Sequence, residues 1–144
     1  MWTLLWAVAA TVGAPYFAAP PTYRVECSLV EVFPGGASTP LGSRVFYLQE
    51  EDEGVLRHGE TLIARIKTVE ATGKKVVLEM MLENSIEVVN KGDGLQRRTV
   101  RVDTRAVAEA NQVIPLELPN ANGEGGRYKF ELRWRNAPPG RDKD

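Results

Sequence analysis

The sequence predicts an all-β fold: a single antiparallel β-sandwich or small barrel of about seven strands, after an N-terminal apolar leader. Apolar and polar residues alternate along much of the chain after Thr22, which is the pattern of half-buried strands. Turn-forming Gly, Asn and Pro residues separate these runs at intervals of roughly 8–20 residues. No long stretch repeats its apolar residues with the period of a helix.

The composition fits one folded domain and restricts its chemistry. The chain has 144 residues, with 18 Lys and Arg against 19 Asp and Glu and a formal net charge of -1. A length of this order suits one domain, and a near-neutral charge does not favour nucleic acid as a partner. One His and one Cys cannot build a Cys/His zinc site or an intrachain disulfide. We therefore expect no metal and no cofactor.

Residues 1–20 form the leader, which we interpret as a signal peptide or a membrane anchor. No charged residue precedes Arg24, and the apolar run from Leu4 to Ala14 has the length of a signal-peptide core. The lack of Lys or Arg before this run weakens the signal-peptide interpretation, and Pro15 and Pro20, directly after the small residues Ala14 and Ala19, are expected to hinder cleavage. The anchor is the alternative, because about 20 residues suffice to span a membrane. A buried N-terminal element of a cytosolic domain is the third alternative. We expect export to the periplasm or cell envelope, with membrane contact only through an uncleaved leader.

The β-domain is expected to span residues 21–136, before a flexible polar tail, residues 137–144. Its last strand has the clearest pattern, because Tyr128, Phe130, Leu132 and Trp134 alternate with charged residues. The expected strands are, in chain order, 23–32, 45–49, 61–70, 75–84, 97–107, 113–118 and 127–135.

Turn sequences connect these strands into hairpins. Residues 71–74 and 90–94 are short turns, and residues 119–126 form a longer loop with an Asn-Gly pair. Residues 34–43 are expected to be a loop. Residues 105–111 favour either a short helix or, as we prefer, a strand that ends in a turn at 109–112.

The candidate chemical groups do not form a convincing active site. The run from Glu50 to Glu53 could hold Ca²⁺, but it lacks the spacing of a calcium loop, so we interpret it as a solvated loop. His58 near Glu60 could act as a general base, but no marked nucleophile accompanies it. We therefore assign no catalytic residue and no metal ligand.

Two runs of basic residues are the candidate binding face. If their strands were neighbours, they would create one basic surface for anionic lipid, polysaccharide or a protein. In the alternative interpretation, cross-strand pairs with Glu79, Glu83 and Glu131 neutralise them. The residues of this face are Arg97, Arg98, Arg101, Arg105, Arg127, Lys129, Arg133 and Arg135.

The edges of the sheets are the other candidate for binding. Pro115 lacks an N–H, so strand 113–118 is expected at an edge. We expect the other edge at the first or the last strand, 23–32 or 127–135. The charged row of the last strand resists pairing with its own copy but can accept an acidic strand. A different envelope protein, bound by strand addition or by the basic face, is thus expected as the partner, and not a self-made ring.

The segment from residue 59 to residue 118 carries an ordered series of motifs: Gly59-Glu60-Thr61-Leu62, Gly73-Lys74-Lys75-Val76-Val77-Leu78-Glu79-Met80, Leu82-Glu83-Asn84-Ser85, Arg98-Thr99-Val100-Arg101-Val102 and Val113-Ile114-Pro115-Leu116-Glu117-Leu118. This series resembles part of the C-terminal β-domain of bacterial secretins, the outer-membrane pores of type II and III secretion and of type IV pili. The resemblance implies a bacterial envelope protein with a secretin-like β-fold. It does not imply a pore, because the gate motifs are absent and Pro119-Asn120 replaces an expected glycine pair.

The expected function is that of a non-catalytic binding or structural module in the bacterial cell envelope. Two alternatives stay open at this point. One is a secreted hydrolase that uses carboxylates such as Glu51, Glu60, Glu79 or Glu83. The other is an adhesin-like or carbohydrate-binding β-sandwich.

Overall fold

A computed structural model describes residues 21–72, 74–90, 92 and 94–137. This part of the chain contains eight β-strands and no helix. The strands are β1 (Tyr23–Val32), β2 (Ser38–Leu48), β3 (Glu53–His58), β4 (Leu62–Thr72), β5 (Lys75–Asn90), β6 (Gly94–Glu109), β7 (Ile114–Pro119) and β8 (Arg127–Asn136). The predicted leader and all but the first residue of the predicted tail lie outside the described residues.

The strands form two antiparallel sheets of four. The first sheet has the order β2-β1-β8-β7, and the second has the order β3-β4-β5-β6. Alternate side chains of both sheets enter a single hydrophobic core, with Trp134, Phe130 and Leu29 from the first sheet and Leu78 and Leu82 from the second. The prediction of an all-β antiparallel fold is confirmed, in a sandwich-like arrangement of two separate sheets.

The sequence pattern identified seven strands and missed β3. In β3 only Gly54 is buried, and charged residues lie at both ends, so the strand carries little apolar alternation. The structure also begins β2 at Ser38, inside the segment predicted to be a loop. This half of β2 is exposed and pairs with β1 through its backbone, so its polar sequence gave no strand signal.

Of the two predictions about which strands form sheet edges, one is confirmed and the other is wrong. β7, which contains Pro115, is an edge strand, as predicted. The prediction that the other edge is the first or the last strand is wrong, because β1 and β8 pair with each other in the middle of the first sheet. The four edges are instead β2 and β7 in the first sheet and β3 and β6 in the second.

Polar contacts join the two sheets at both poles of the fold. At one pole the Trp134 indole N–H of the first sheet donates to the Ala108 carbonyl of the second at 3.0 Å. Within the first sheet, the Ala137 N–H donates to the Thr22 carbonyl at 3.0 Å at the same pole. We call it the terminal pole. At the opposite pole the fully buried Asn84 accepts a hydrogen bond from the Ala121 N–H at 2.8 Å.

A two-stranded arm extends the second sheet beyond this opposite pole. β4 begins at Leu62, opposite Asn84, whereas β5 and β6 continue to pair with each other as far as Asn90 and Gly94. We define the arm as residues 86–90 and 94–98. The Arg98 guanidinium donates to the Ala121 carbonyl at 3.2 Å and so fixes the base of the arm to the loop between β7 and β8.

Candidate functional site

The candidate site is the outer face and the free edge of the second sheet. On this face the three longest strands alternate in charge. In its central part, β4 presents cations, β5 presents anions, and β6 presents cations and one anion, whereas Glu70, Lys75 and Glu109 depart from this alternation nearer the terminal pole. The charged residues of the central part are Arg65 and Lys67 on β4, Glu79, Glu83 and Glu87 on β5, and Arg97, Arg101, Asp103 and Arg105 on β6.

Strand register places these opposite charges side by side. Glu79 lies directly between Lys67 of β4 and Arg105 of β6. Arg105 Nη1 is 3.6 Å from Glu79 Oε2, and Arg101 Nη1 is 3.6 Å from Glu83 Oε1. These are exposed pairs, each contributing about 0.2–1 kcal/mol, so they set the register of the sheet more than its stability.

Three arginines of β6, Arg97, Arg101 and Arg105, are spaced four residues apart along the strand and all lie on its outer face. Arg97 lies opposite Glu87 in the strand register, as Arg101 lies opposite Glu83. The Arg97 Nε–H donates to Ser85 Oγ at 2.9 Å. Arg101 also donates to both carboxylate oxygens of Asp103, and this hydrogen bonding lowers the pKa of Asp103. Between Arg97 and Arg105, β6 therefore presents a basic row with a single acid, Asp103.

Among the described residues, no strand pairs with the backbone of β6 on the side away from β5. The Ser85 N–H donates to the Thr61 carbonyl at 2.8 Å, so odd-numbered residues of β5 direct their backbone polar groups towards β4. Even-numbered residues of β5 then face β6, and odd-numbered residues of β6 face away from β5. The hydrogen bond of the Glu109 N–H is consistent with this orientation of the odd-numbered residues, because it donates to the Gln112 side chain at 3.0 Å and not to β5. Within the described chain, β6 has β5 as its only partner strand.

The other three edges are poorly suited to a further strand. β7 contains Pro115 and Pro119, and β2 contains Pro40, and each proline removes one N–H from its edge. β3 is only 6 residues long. β6 has 16 residues and no proline. Among the described strands, it is therefore the longest edge strand and carries no proline.

The core is thinly covered beside this edge. Val100, Val102 and Ala106 point inwards from β6 but are only partly buried, as is Ile114 of β7. The corresponding residues of β5, such as Leu78 and Leu82, are fully buried. An additional strand beside β6 would bring apolar side chains over this partly covered row.

The structure separates the two basic runs of the predicted binding face. Arg97, Arg98, Arg101 and Arg105 lie on β6 in the second sheet, whereas Arg127, Lys129, Arg133 and Arg135 lie on β8 in the first. The strands are not neighbours, so the two runs do not form one continuous surface.

On β8, nearby carboxylates pair with most of the basic side chains. Arg127 pairs with Glu117 at 3.2 Å, Lys129 with Glu131 at 3.4 Å and Arg133 with Glu26 at 2.8 Å. Carboxylates thus pair with three of the four basic residues of β8. Arg101 and Arg105 of β6 are paired as well, but their row lies on an edge strand, whereas β8 is in the middle of its sheet.

The remaining candidate residues lie apart. His58 is exposed at the end of β3. Glu51 pairs with Lys67 at 3.4 Å, whereas Glu79 and Glu83 pair with arginines of β6. Burial raises the pKa of the Cys27 thiol to about 12, which keeps it protonated. No cluster of three or more His, Cys, Asp or Glu residues suited to a metal occurs in the described segments.

The sequence reasoning missed the β6 edge, although a signal for the pairing of β5 with β6 was present. Glu79, Glu83 and Glu87 are spaced by four residues, as are Arg97, Arg101 and Arg105. Across an antiparallel hairpin, equal spacings of opposite charge predict direct cross-strand pairs. What the sequence did not reveal is that no strand follows β6 in the sheet.

No protein-family model, curated protein or solved structure is significantly similar to this chain. In the residues that the structure describes, no helix has the length and hydrophobicity to cross a membrane.

Proposed function

We propose that this chain is a non-catalytic, secretin-like β-domain of the bacterial cell envelope that binds another protein by strand addition at β6. The observation that carries the proposal is the edge of β6, 16 residues long and without proline. An extended segment of a partner can pair with this edge and continue the second sheet.

Both the free backbone groups and the inner side chains of β6 are suited to strand addition. Each backbone hydrogen bond formed contributes about 0.5–1.5 kcal/mol net, and the free groups belong to residues such as Thr99, Arg101 and Asp103. Side chains on the inner face of the partner strand would cover Val100, Val102 and Ala106. The same row is too exposed for an interior strand, which is consistent with an edge that a partner completes.

Two features of the sequence support a role in the envelope. The uncharged leader, residues 1–20, has the character of an export signal or an anchor. The secretin-like motifs span residues 59–118, which include β5 and β6 and so include the proposed binding edge.

The proposal is tested by selecting binders from a random peptide library displayed on phage, with the full chain as bait. A Thr99→Pro variant removes one N–H from the free edge, and the ladder with β5 keeps its hydrogen bonds because this N–H faces away from β5. Thr99→Ala is the matched control, since both variants lose the hydrogen bond between Thr99 and Ser85.

Peptides selected on the wild-type chain should bind Thr99→Ala about as tightly, and Thr99→Pro at least about tenfold more weakly. Circular dichroism verifies that both variants are folded. Selected peptides that bind all three proteins equally would show that β6 is not the binding edge.

A further inference from the structure

The alternation of charge across the second sheet ends at β6 on a cationic row. In the central part of the outer face, β4 is positive, β5 negative and β6 positive, and Glu79 lies between two cations, Lys67 and Arg105. Glu83 and Glu87 have a cation opposite them on β6 only, Arg101 and Arg97. β3 continues the series in part, because Glu53 lies opposite Lys67, with its carboxylate 3.8 Å from the Arg65 guanidinium. The next strand in this series, beyond β6, would be negative.

We infer that the segment which adds to β6 carries an acidic residue at every fourth position of its sequence, all on its outer face. This inference rests on the proposed strand addition and adds the chemistry of the partner. Arg97, Arg101 and Arg105 would each lie opposite one carboxylate of the added strand, as they now lie opposite Glu87, Glu83 and Glu79 on the other side.

The two positions between these arginines have different requirements. Asp103 lies between Arg101 and Arg105, so a basic residue of the added strand fits opposite it. Opposite Thr99, a small polar residue of the added strand fits. The alternate residues of the added strand face inwards, over the partly buried Val100 and Val102, and are therefore apolar. The partner segment thus alternates apolar residues with an acidic row.

A second copy of this chain is a poor occupant of the edge. β6 contains four arginines, Arg97, Arg98, Arg101 and Arg105, against two acids, Asp103 and Glu109, a net charge of +2 on this strand. Two such strands side by side would repel each other, and like charges directly opposite destabilise a strand pair. The partner is therefore a different chain.

The test uses a designed nine-residue peptide, Glu-Val-Lys-Val-Glu-Val-Thr-Val-Glu, capped at both ends and labelled for fluorescence anisotropy. Antiparallel to residues 97–105, its three Glu residues oppose the three arginines, and its Lys opposes Asp103. The matched control has Gln at the three Glu positions. A third peptide keeps the acids but carries N-methyl groups on the Lys and the Thr, whose N–H groups would face β6.

The acidic peptide should bind the full chain about tenfold or more tightly than the Gln peptide, and the difference should shrink as salt rises from about 0.02 M to about 0.5 M. The N-methylated peptide should lose this binding. The double variant Arg97→Gln/Arg105→Gln should abolish the preference for Glu, whereas the control Arg127→Gln/Arg135→Gln, with the same change in net charge on the first sheet, should keep it.

The outcomes separate this inference from the proposed function. Equal binding of the Glu and Gln peptides, or binding of neither, would overturn the acidic specificity, while peptides selected on phage would still decide whether β6 accepts a strand. Acidic binding that survives N-methylation would reveal a contact through charge alone and would contradict strand addition by an acidic segment.

Discussion

Among the glycines of the described fold, Gly54 leaves the least room for a side chain. A Cβ atom placed on it would lie 2.8 Å from Cγ and from Cδ1 of the Phe46 ring. Gly54 belongs to β3 and Phe46 to β2, so this contact packs the edge of one sheet on the edge of the other. We expect Gly54→Ala to lower the free energy of unfolding by about 1–3 kcal/mol, measured by urea denaturation.

Two further variants identify the cause of that loss. Gly42→Ala, on β2, meets no atom within 4 Å and should change stability little. In a Phe46→Leu background, Gly54→Ala should cost less than about 0.5 kcal/mol, because the smaller side chain can move away. An undiminished cost there would attribute the effect to the backbone of Gly54 and not to the ring.

Glu26 gives the fold a defined response to acid. Hydrogen bonds from Arg24 and then from Arg133 lower its pKa from 4.5 to about 2. A carboxyl whose pKa is lower in the folded than in the unfolded chain stabilises the fold at pH values above the unfolded pKa. Its contribution is therefore complete above about pH 4.5 and is lost as the pH falls towards 2.

We expect Glu26→Gln to be less stable than the wild type at neutral pH and to converge with it near pH 2. Urea denaturation at a series of pH values measures this difference. Arg24→Gln should reduce the pH dependence more than Arg133→Gln, since the Arg24 hydrogen bond is the larger cause of the shift. Parallel stability curves for Glu26→Gln and wild type across this range would contradict the assignment.

At the scale of elements, Asn84 connects β5 to two loops. Its side chain is fully buried, donates to the Thr61 carbonyl at 3.0 Å and accepts from the Ala121 N–H at 2.8 Å. Asn84→Leu would leave the Ala121 N–H without its acceptor, at a cost of about 1–3 kcal/mol. Amide hydrogen exchange at Ala121 should accelerate in this variant and not in the control Glu83→Gln, which changes an adjacent outward-facing residue. Unchanged exchange at Ala121 would disprove the role of Asn84 as a connector.

The elements that the sequence predicted best are those with one buried face. β8 alternates four buried residues, Tyr128, Phe130, Leu132 and Trp134, with charged ones, and its predicted and observed bounds agree within one residue. β3 and the first half of β2 bury few side chains, so periodicity could not reveal them. Their strand conformation comes from backbone pairing with β4 and β1, which a single sequence does not encode locally.

The candidate site was predicted in its residues but not in its arrangement. Arg97, Arg101 and Arg105 were identified from their charge, yet the sequence could not place β6 and β8 in different sheets. Sheet order depends on which strands meet after long connections, and local patterns do not contain that information. The edge of β6 therefore became visible only in the folded chain.

At the scale of the whole molecule, the described residues from Tyr23 onwards form one hydrophobic core. Its buried residues begin at Tyr23 and form one cluster that includes both sheets. We expect a chain that begins at Pro21 to fold and to melt in a single cooperative transition, followed by far-UV circular dichroism, at a temperature close to that of the full chain. A broad, non-cooperative melt would show that residues 1–20 supply part of the core.

The proximity of Thr22 and Ala137 at the terminal pole determines how this fold can be inserted into another protein. The Thr22 carbonyl and the Ala137 N–H are joined by a hydrogen bond of 3.0 Å, so the chain enters and leaves the fold at almost the same point. A domain with adjacent ends can be inserted into a surface loop of a host protein without separating the halves of that loop. Displayed in this way on a carrier, the fold would point its arm away from the carrier and leave the length of β6 accessible from the side.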